Sequence, residues 1–234
     1  MKLFRKGFNY SQDGPGNRLV YHLHGCNFSC IWCANPEGMG PDFSNCFERS
    51  VEDLFDEAMR CRKLFFDGGG VTLTGGEPTC QFAETALLLG RLHRVGIHTA
   101  IETNGSHPHL AELLPVIDYL MMDFKHFDNE IHQRWAGVQN TTVRRNLEYI
   151  CRTGREALIR IPLINGFNTD PEGFVSYFRG LDTDRLSFEF LPYHEYGKEK
   201  WKEPYLVKDG FVSQEGIDRF WEVFQKNQLR VVTT

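Results

Sequence analysis

The chain has 234 residues, 41% of them hydrophobic, and a formal charge of −5. That supplies one sizeable core, and an acidic balance without a basic run excludes a nucleic-acid binder held by phosphate contacts. No apolar stretch reaches the roughly 18 residues that span a membrane, and Met1 to Lys6 lacks the apolar run of a signal peptide, so a cytoplasmic protein is expected.

The first strand is expected over Arg18–Leu23, and it runs into His24-Gly25-Cys26. Ser50–Phe66 reads as a helix, with Ser50 as N-cap, Asp53 in the first turn, and Val51, Leu54, Phe55, Ala58, Met59 and Leu64 at helical spacing. A strand over Val71–Thr74 leads into Gly75-Gly76-Glu77-Pro78, followed by a helix over Gln81–Val95. The next strand, Ile97–Ile101, ends in Glu102-Thr103-Asn104-Gly105, with a weaker helix over His109–Leu114. Tyr119–Asp123 forms the fourth strand and ends in Asp123-Phe124-Lys125. A weak helical pattern at Glu130–Trp135 and a clear one at Thr141–Thr153 precede the strand Ala157–Pro162, which carries Arg160. A weak helix at Pro171–Phe178, a strand at Ser187–Leu191 running into Pro192-Tyr193-His194, and a helix at Ser213–Lys226 complete the chain.

Strand alternating with helix implies an α/β fold built from βαβ units on a parallel sheet. Six units are too few for an eight-stranded barrel, so an incomplete barrel or an open doubly wound sheet fits. Ligands of such folds bind at the C-terminal strand ends. That rule gathers the cysteine loop, a double glycine, Glu102, Asp123, Lys125, Arg160 and His194 on one face.

The seven cysteines, an odd number in a chain without a signal, argue against a disulfide framework. Three of them, Cys26-x3-Cys30-x2-Cys33, sit on one short loop. Such close thiolates hold iron–sulfur clusters. A zinc site with His22, His24 or Cys46 as fourth ligand and three unligated thiols are the alternatives.

Cys26-x3-Cys30-x2-Cys33 followed by Thr74-Gly75-Gly76-Glu77-Pro78 resembles the radical S-adenosylmethionine (SAM) enzymes. Further stretches narrow the resemblance to the glycyl radical enzyme activases, nearest the branch that activates pyruvate formate-lyase. They are Asp13-Gly14-Pro15-Gly16-Asn17-Arg18, Gly68-Gly69-Gly70-Val71-Thr72, Met122-Asp123-Phe124-Lys125, Glu130-Ile131-His132-Gln133 with Gly137-Val138, and Leu191-Pro192-Tyr193-His194-Glu195-Tyr196-Gly197-Lys198 with Lys200-Trp201.

The resemblance implies an incomplete (β/α)6 TIM-like barrel forming one domain over residues 1–234. The stretch between Cys33 and Gly75 is too short and too poor in cysteine for a ferredoxin-like insert. It also implies one [4Fe-4S] cluster on Cys26, Cys30 and Cys33, with SAM chelating the iron that lacks a protein ligand. One electron cleaves SAM to methionine and a 5′-deoxyadenosyl radical, which takes a hydrogen from a glycine of the partner enzyme. Lys125 joins the three cysteines as catalytic, by neutralising the SAM carboxylate, with Asp123 balancing its charge. Gly75 and Gly76 let the backbone approach the methionyl group, and Glu77 fixes its amine. Trp32, between two cluster ligands, lies against adenine, and Cys33 and Ala34 belong to the same SAM site. Phe124, Arg160 and His194 complete the SAM site, His194 at the ribose or carboxylate. Asp13, Gly14, Pro15 and Gly16 would dock the partner's glycine loop.

Three positions depart from that branch. Glu102 stands where it has Asp, at a site for a monovalent cation beside SAM. His24 replaces Gln, and Asn17 replaces a branched apolar residue, which leaves open a partner other than pyruvate formate-lyase itself. Flavodoxin or a ferredoxin is the expected reductant, and a monomer is expected. The rival readings are 7-carboxy-7-deazaguanine synthase, another small radical SAM enzyme, and a non-enzymatic iron–sulfur or zinc protein.

Overall fold

The computed structural model describes residues 1–40 and 43–233. In chain order the elements are β1 Lys2–Tyr10, β2 Asn17–Leu23, β3 Phe47–Glu48, α1 Val51–Cys61, β4 Gly70–Gly75, α2 Phe82–Arg94, β5 His98–Thr103, β6 Tyr119–Asp123, α3 Asn129–Ala136, α4 Thr141–Thr153, β7 Ala157–Leu163, α5 Pro171–Phe178, β8 Leu186–Pro192 and α6 Gln214–Lys226. They build one open sheet in the order β3-β1-β2-β4-β5-β6-β7-β8. The six expected strands, β2 and β4 to β8, are mutually parallel. The sheet also has two strands that the pattern did not announce: β1, antiparallel to β2, and the short β3, antiparallel to β1.

Most helix boundaries follow local chemistry. At the start of α1, Ser50 Oγ accepts from the Asp53 N–H at 3.0 Å, and the Asp53 carboxylate accepts from the Ser50 N–H at 3.1 Å. This helix stops at Cys61 rather than Phe66. It tightens into a 3-10 turn over Arg62–Leu64, after which Asp67 and Gly68 take left-handed conformations that reverse the chain. α3 and α4 end on left-handed Gly137 and Gly154. The expected helix at His109–Leu114 is only two 3-10 turns, Leu110–Glu112 and Leu114–Val116. Pro115 lies in the second and cannot continue an α-helix.

The period-2 alternation of the strands separates two environments. One face carries Leu19, Tyr21, Leu23, Val71, Leu73, Ile101, Ile159, Ile161 and Phe188, all buried in the main core beneath the helices. The other face lines the concave interior with Arg18, Thr72, Thr74, Glu102, Arg160 and Glu189. Near its N-terminal end Ala100, Met121 and Leu158 close that interior, with Tyr119 and Val232 packed against them. Val231 adds a single parallel bridge to Phe188 at the edge of β8.

Candidate active site

At the C-terminal end of the parallel strands a cleft opens. Cys26, Cys30, Trp32, Cys33 and Ala34 line one wall. Gly75, Gly76, Glu102, Asp123, Lys125 and His194 line the rest. Three of the expected residues place their side chains elsewhere: Glu77, Phe124 and Arg160.

The cysteine loop is braced from three sides. From β4, the Gly76 N–H donates to the Leu23 carbonyl at 2.8 Å, and the Glu77 N–H donates to Gly25 at 2.7 Å. The ladder between β2 and β4 therefore continues past both strands into the loop. This explains the double glycine. A Cβ on Gly75 would lie 2.5 Å from the Leu23 nitrogen, and one on Gly76 would lie 2.3 Å from the Gly25 carbonyl oxygen. Gly75 also has φ +117°, which favours glycine. The missing side chains make room for the chain's own backbone. From β5, Asn104 donates to Asn27 at 2.9 Å. From α3, a Cβ on Gly137 would collide with Ser29 Oγ, and His132 meets Phe28 edge to face at 5.3 Å.

Glu77 is the key of this brace. Its carboxylate is buried, with 1% exposure, and points under the loop rather than into the cleft. One oxygen accepts from the Thr79 N–H, the Thr79 hydroxyl and the Thr103 hydroxyl; the other accepts from the Asn104 N–H at 2.6 Å. Burial raises its pKa, and these donors pull it back.

Phe124 faces the outer core, against Phe174, Tyr177 and Phe178. Arg160 lies below the cleft with all three edges of its guanidinium in use. Nε donates to Glu189 at 2.7 Å, one terminal nitrogen donates to Glu102 at 2.8 Å, and the other donates to the Gln12 carbonyl at 2.8 Å. The second oxygen of Glu102 accepts from the Thr74 hydroxyl at 2.7 Å. Both oxygens of Glu102 are thus partnered within the chain. Asp13 enters the interior beneath this group. Burial raises its pKa, and the charge of Glu102 adds to the rise. Behind it, the carbonyl of Asp13 accepts from Thr72, and Arg18 is buried in bonds to Thr72, Pro15, Val71 and His98.

In the cleft, Lys125 Nζ donates to Asp123 at 2.8 Å. Burial alone would push the ammonium pKa down; Asp123, and then Cys30 and Cys33 when ionised, more than offset it and hold the pKa above the usual lysine value. Lys125 is therefore a fixed cation beside the thiols. Trp32 packs on Phe167 at 4.6 Å and turns its remaining surface to the cleft. His194 stands on the rim, stacked on Tyr196 at 4.4 Å.

Burial raises the pKa of all three loop cysteines, that of Cys30 to about 12, while Lys125 opposes the rise at Cys30 and Cys33. Left alone they are neutral thiols, and a positively charged metal group would hold them as thiolates. The three sulfurs border one cleft at the strand ends, a donor set that suits an iron–sulfur cluster.

Several residues that shape this site had no role assigned from the sequence: Thr74, Asn104 and Trp201, legible there only as parts of motif stretches, and Glu189. Glu189 left a signal, a lone charge inside the apolar strand Leu186–Pro192, in register with Arg160. His24 proves to lie behind the loop, its ring tilted against Phe43 at 4.8 Å. Asn17 donates to the Leu64 carbonyl, which ties the β1–β2 turn to the 3-10 turn after α1.

With this geometry in hand, the comparisons with known proteins are specific. The Radical SAM superfamily matches residues 20–177. A pyruvate formate-lyase-activating enzyme of Streptococcus mutans is 32% identical over 203 residues, covering 82% of this chain and 77% of that protein. One of Staphylococcus epidermidis is 31% identical, covering 84% of each. Among solved structures, a domain of the pyruvate-formate lyase-activating enzyme of Bacteroides vulgatus aligns with TM-score 0.60 and 26% identity, over 70% of this chain and 98% of that one. The chain belongs to the radical SAM superfamily and, within it, to the family of the pyruvate formate-lyase-activating enzymes.

Proposed function

We propose that this chain activates a glycyl radical enzyme of the pyruvate formate-lyase type. The observation that carries the reading is the convergence of Cys26, Cys30 and Cys33 with the half-buried Lys125–Asp123 pair on one cleft at the strand ends. A [4Fe-4S] cluster and SAM belong to the family's chemistry; bound here, they supply reductive cleavage of SAM and abstraction of a glycine hydrogen from the partner.

The chain's own residues hold, orient and shield. Cys26, Cys30 and Cys33 hold the cluster. Lys125, kept cationic by Asp123, takes the SAM carboxylate in a charge-assisted contact. The N–H groups of Gly76 and Glu77 are spent on the cysteine loop, so this edge offers carbonyls, which accept from the SAM ammonium. Trp32 and the adjoining Ala34 border the adenine, and His194 on the rim reaches the ribose. Arg160 and Glu77 act from beneath, by fixing Glu102 and the loop. A monovalent cation beside SAM would share Glu102 with the Arg160 guanidinium. The partner's glycine loop enters over Asp13-Gly14-Pro15-Gly16, the turn whose neighbour Gln12 is tied to Arg160. Flavodoxin or a ferredoxin serves as reductant, and the protein acts as a cytoplasmic monomer. Among the described residues no helix is long and apolar enough to cross a membrane.

The test is formation of 5′-deoxyadenosine by the anaerobically reconstituted, reduced protein with SAM, followed by the EPR signal of a glycyl radical in an added partner. Deoxyadenosine without a glycyl signal from any such partner would leave a radical SAM enzyme of another substrate class. No deoxyadenosine and no change of the cluster's EPR signal on adding SAM would refute the reading.

A further inference from the structure

Cys33 is held by a part of the chain far away in sequence. The segment Gly197–Trp201 leaves the cleft just after His194, makes a 3-10 turn over Lys198–Lys200, and lies across Cys33-Ala34-Asn35. Three of its residues fasten it. The Trp201 indole N–H donates to the Cys33 carbonyl at 3.0 Å. Lys200 Nζ donates to the Ala34 carbonyl at 3.0 Å and to Asn35 Oδ1 at 3.4 Å, and pairs with Glu37 at 3.1 Å. Gly197 packs so closely that a Cβ there would lie 2.5 Å from Ala34 Cα. Trp201 is itself set by the edge of Tyr205, whose hydroxyl lies 2.9 Å from that of Tyr193.

The three cysteines are thus secured differently. Cys26 follows directly on the β2–β4 ladder, and its Sγ accepts from the Phe28 N–H at 3.4 Å. Cys30 is buried in the main core between residues tied to α3: the N–H groups of Ser29 and Ile31 donate to the carbonyls of Ala136 and Trp135. Cys33 lies beyond both the ladder and the bonds to α3, and its sulfur takes only a local contact from the Asn35 N–H. Its own N–H closes only a local turn to Cys30 at 3.1 Å. Its carbonyl, the Ala34 carbonyl and the Asn35 side chain are fixed from outside the loop, by Gly197–Trp201.

We propose that Gly197–Trp201 is a latch for the third cluster cysteine, with Trp201 as its positioning residue. The proposal rests on the reading of Cys33 as a cluster ligand. Opening the latch frees Cys33 while leaving the other two cysteines in place. Backbone held near a cluster also governs its solvent exposure and stability.

Trp201→Phe keeps the ring and removes the N–H. The test uses the iron-loaded protein under anaerobic conditions, measuring iron loss to a ferrous chelator and then mapping alkylation of each cysteine by mass spectrometry. Iron loss should accelerate about three- to tenfold, the value of one hydrogen bond, and Cys33 should be alkylated ahead of Cys26 and Cys30. An unchanged rate and order would overturn the latch. So would equal exposure of all three cysteines, which is general loosening rather than positioning. If Trp201→Phe does not fold, Lys200→Met, which loses the bond to Ala34, is judged by the same two outcomes. Should the wild-type protein bind no iron, the cluster reading itself fails. The order of alkylation in the metal-free protein still reports on the latch.

Discussion

The two faces of the same strands obey different rules. On the outer face of β7 and β8, Ile159, Ile161, Phe188 and Phe190 meet helices through a web of aromatic edges; Phe178, Phe188 and Phe224 alone make three such contacts of 4.7 to 6.2 Å. One residue further along each strand, the inner face presents Arg160 and Glu189, buried charges that are each other's partner. Outer positions require shape and apolar area, which several residues can supply. Inner positions require a particular donor opposite a particular acceptor, because a buried polar group left alone is costly. The outer face builds the barrel, and the inner face carries the chemistry.

The sharpest way to break this division is at the cysteines. Cys30 is as buried as the core yet lines the cleft. Cys30→Ala should abolish SAM cleavage through loss of iron while the fold survives, since alanine fills most of the site. Wild-type iron content in this variant would mean that Cys30 belongs to the outer rule, as packing.

Arg160→Met comes next. It keeps much of the volume but leaves Glu189 and Glu102 without their cation and frees the Gln12 carbonyl. Removing one partner of a buried pair costs about 3 kcal/mol or more, with Glu102, partly exposed, at the lower end. Urea unfolding should show that loss together with weaker SAM binding. The outer-face control Phe178→Leu should cost about 1 kcal/mol and leave SAM affinity alone. Equal effects of the two variants on SAM affinity would erase the distinction. Lys125→Ala should be smaller in stability terms and cleaner in function: a ten- to hundredfold loss of SAM affinity, about the worth of a charge-assisted hydrogen bond, at full iron content. If iron is lost instead, Lys125 serves the loop and not the ligand.

What could be read in the sequence follows the same division. The outer face is periodic, so the six parallel strands and the helices Thr141–Thr153 and Pro171–Phe178 emerge from the pattern of apolar residues. The strand ends, rich in Gly, Asp, Glu, Lys and His, announce one face of convergence. β1 escapes because Lys2–Tyr10 buries little beyond Leu3 and owes its conformation to its partner β2, a long-range fact. The latch escapes for the same reason, since 168 residues separate Trp201 from Cys33. Gly75, Gly76 and Glu77 were legible as a motif but not in their physical role. Their contacts are with Leu23, Gly25 and Asn104, which only the fold brings near.

The subtlest prediction concerns His132, which stands between the two faces, on α3 behind the cysteine loop. Nδ1 pairs with the Val138 carbonyl at 2.7 Å, so the neutral ring carries its proton there, and Nε2 is buried without a partner among the described residues. Burial lowers its pKa to about 4, from 6.5. A folded-state pKa below the unfolded one means that the neutral ring's contribution is present above pH 6.5 and is lost as pH falls from there through 4. Between pH 7 and pH 5 this single residue should remove about 1 to 2 kcal/mol of stability. His22, lowered to about 4 by burial and then by Arg5, adds a loss of the same sign. The difference between wild-type protein and His132→Phe isolates the first contribution. The variant loses the bond to Val138 and so starts less stable at pH 7, but its urea midpoint should fall less on going to pH 5. Parallel curves for the two proteins would show that the ring takes up its proton without strain, and that the brace behind Phe28 is looser than its burial indicates.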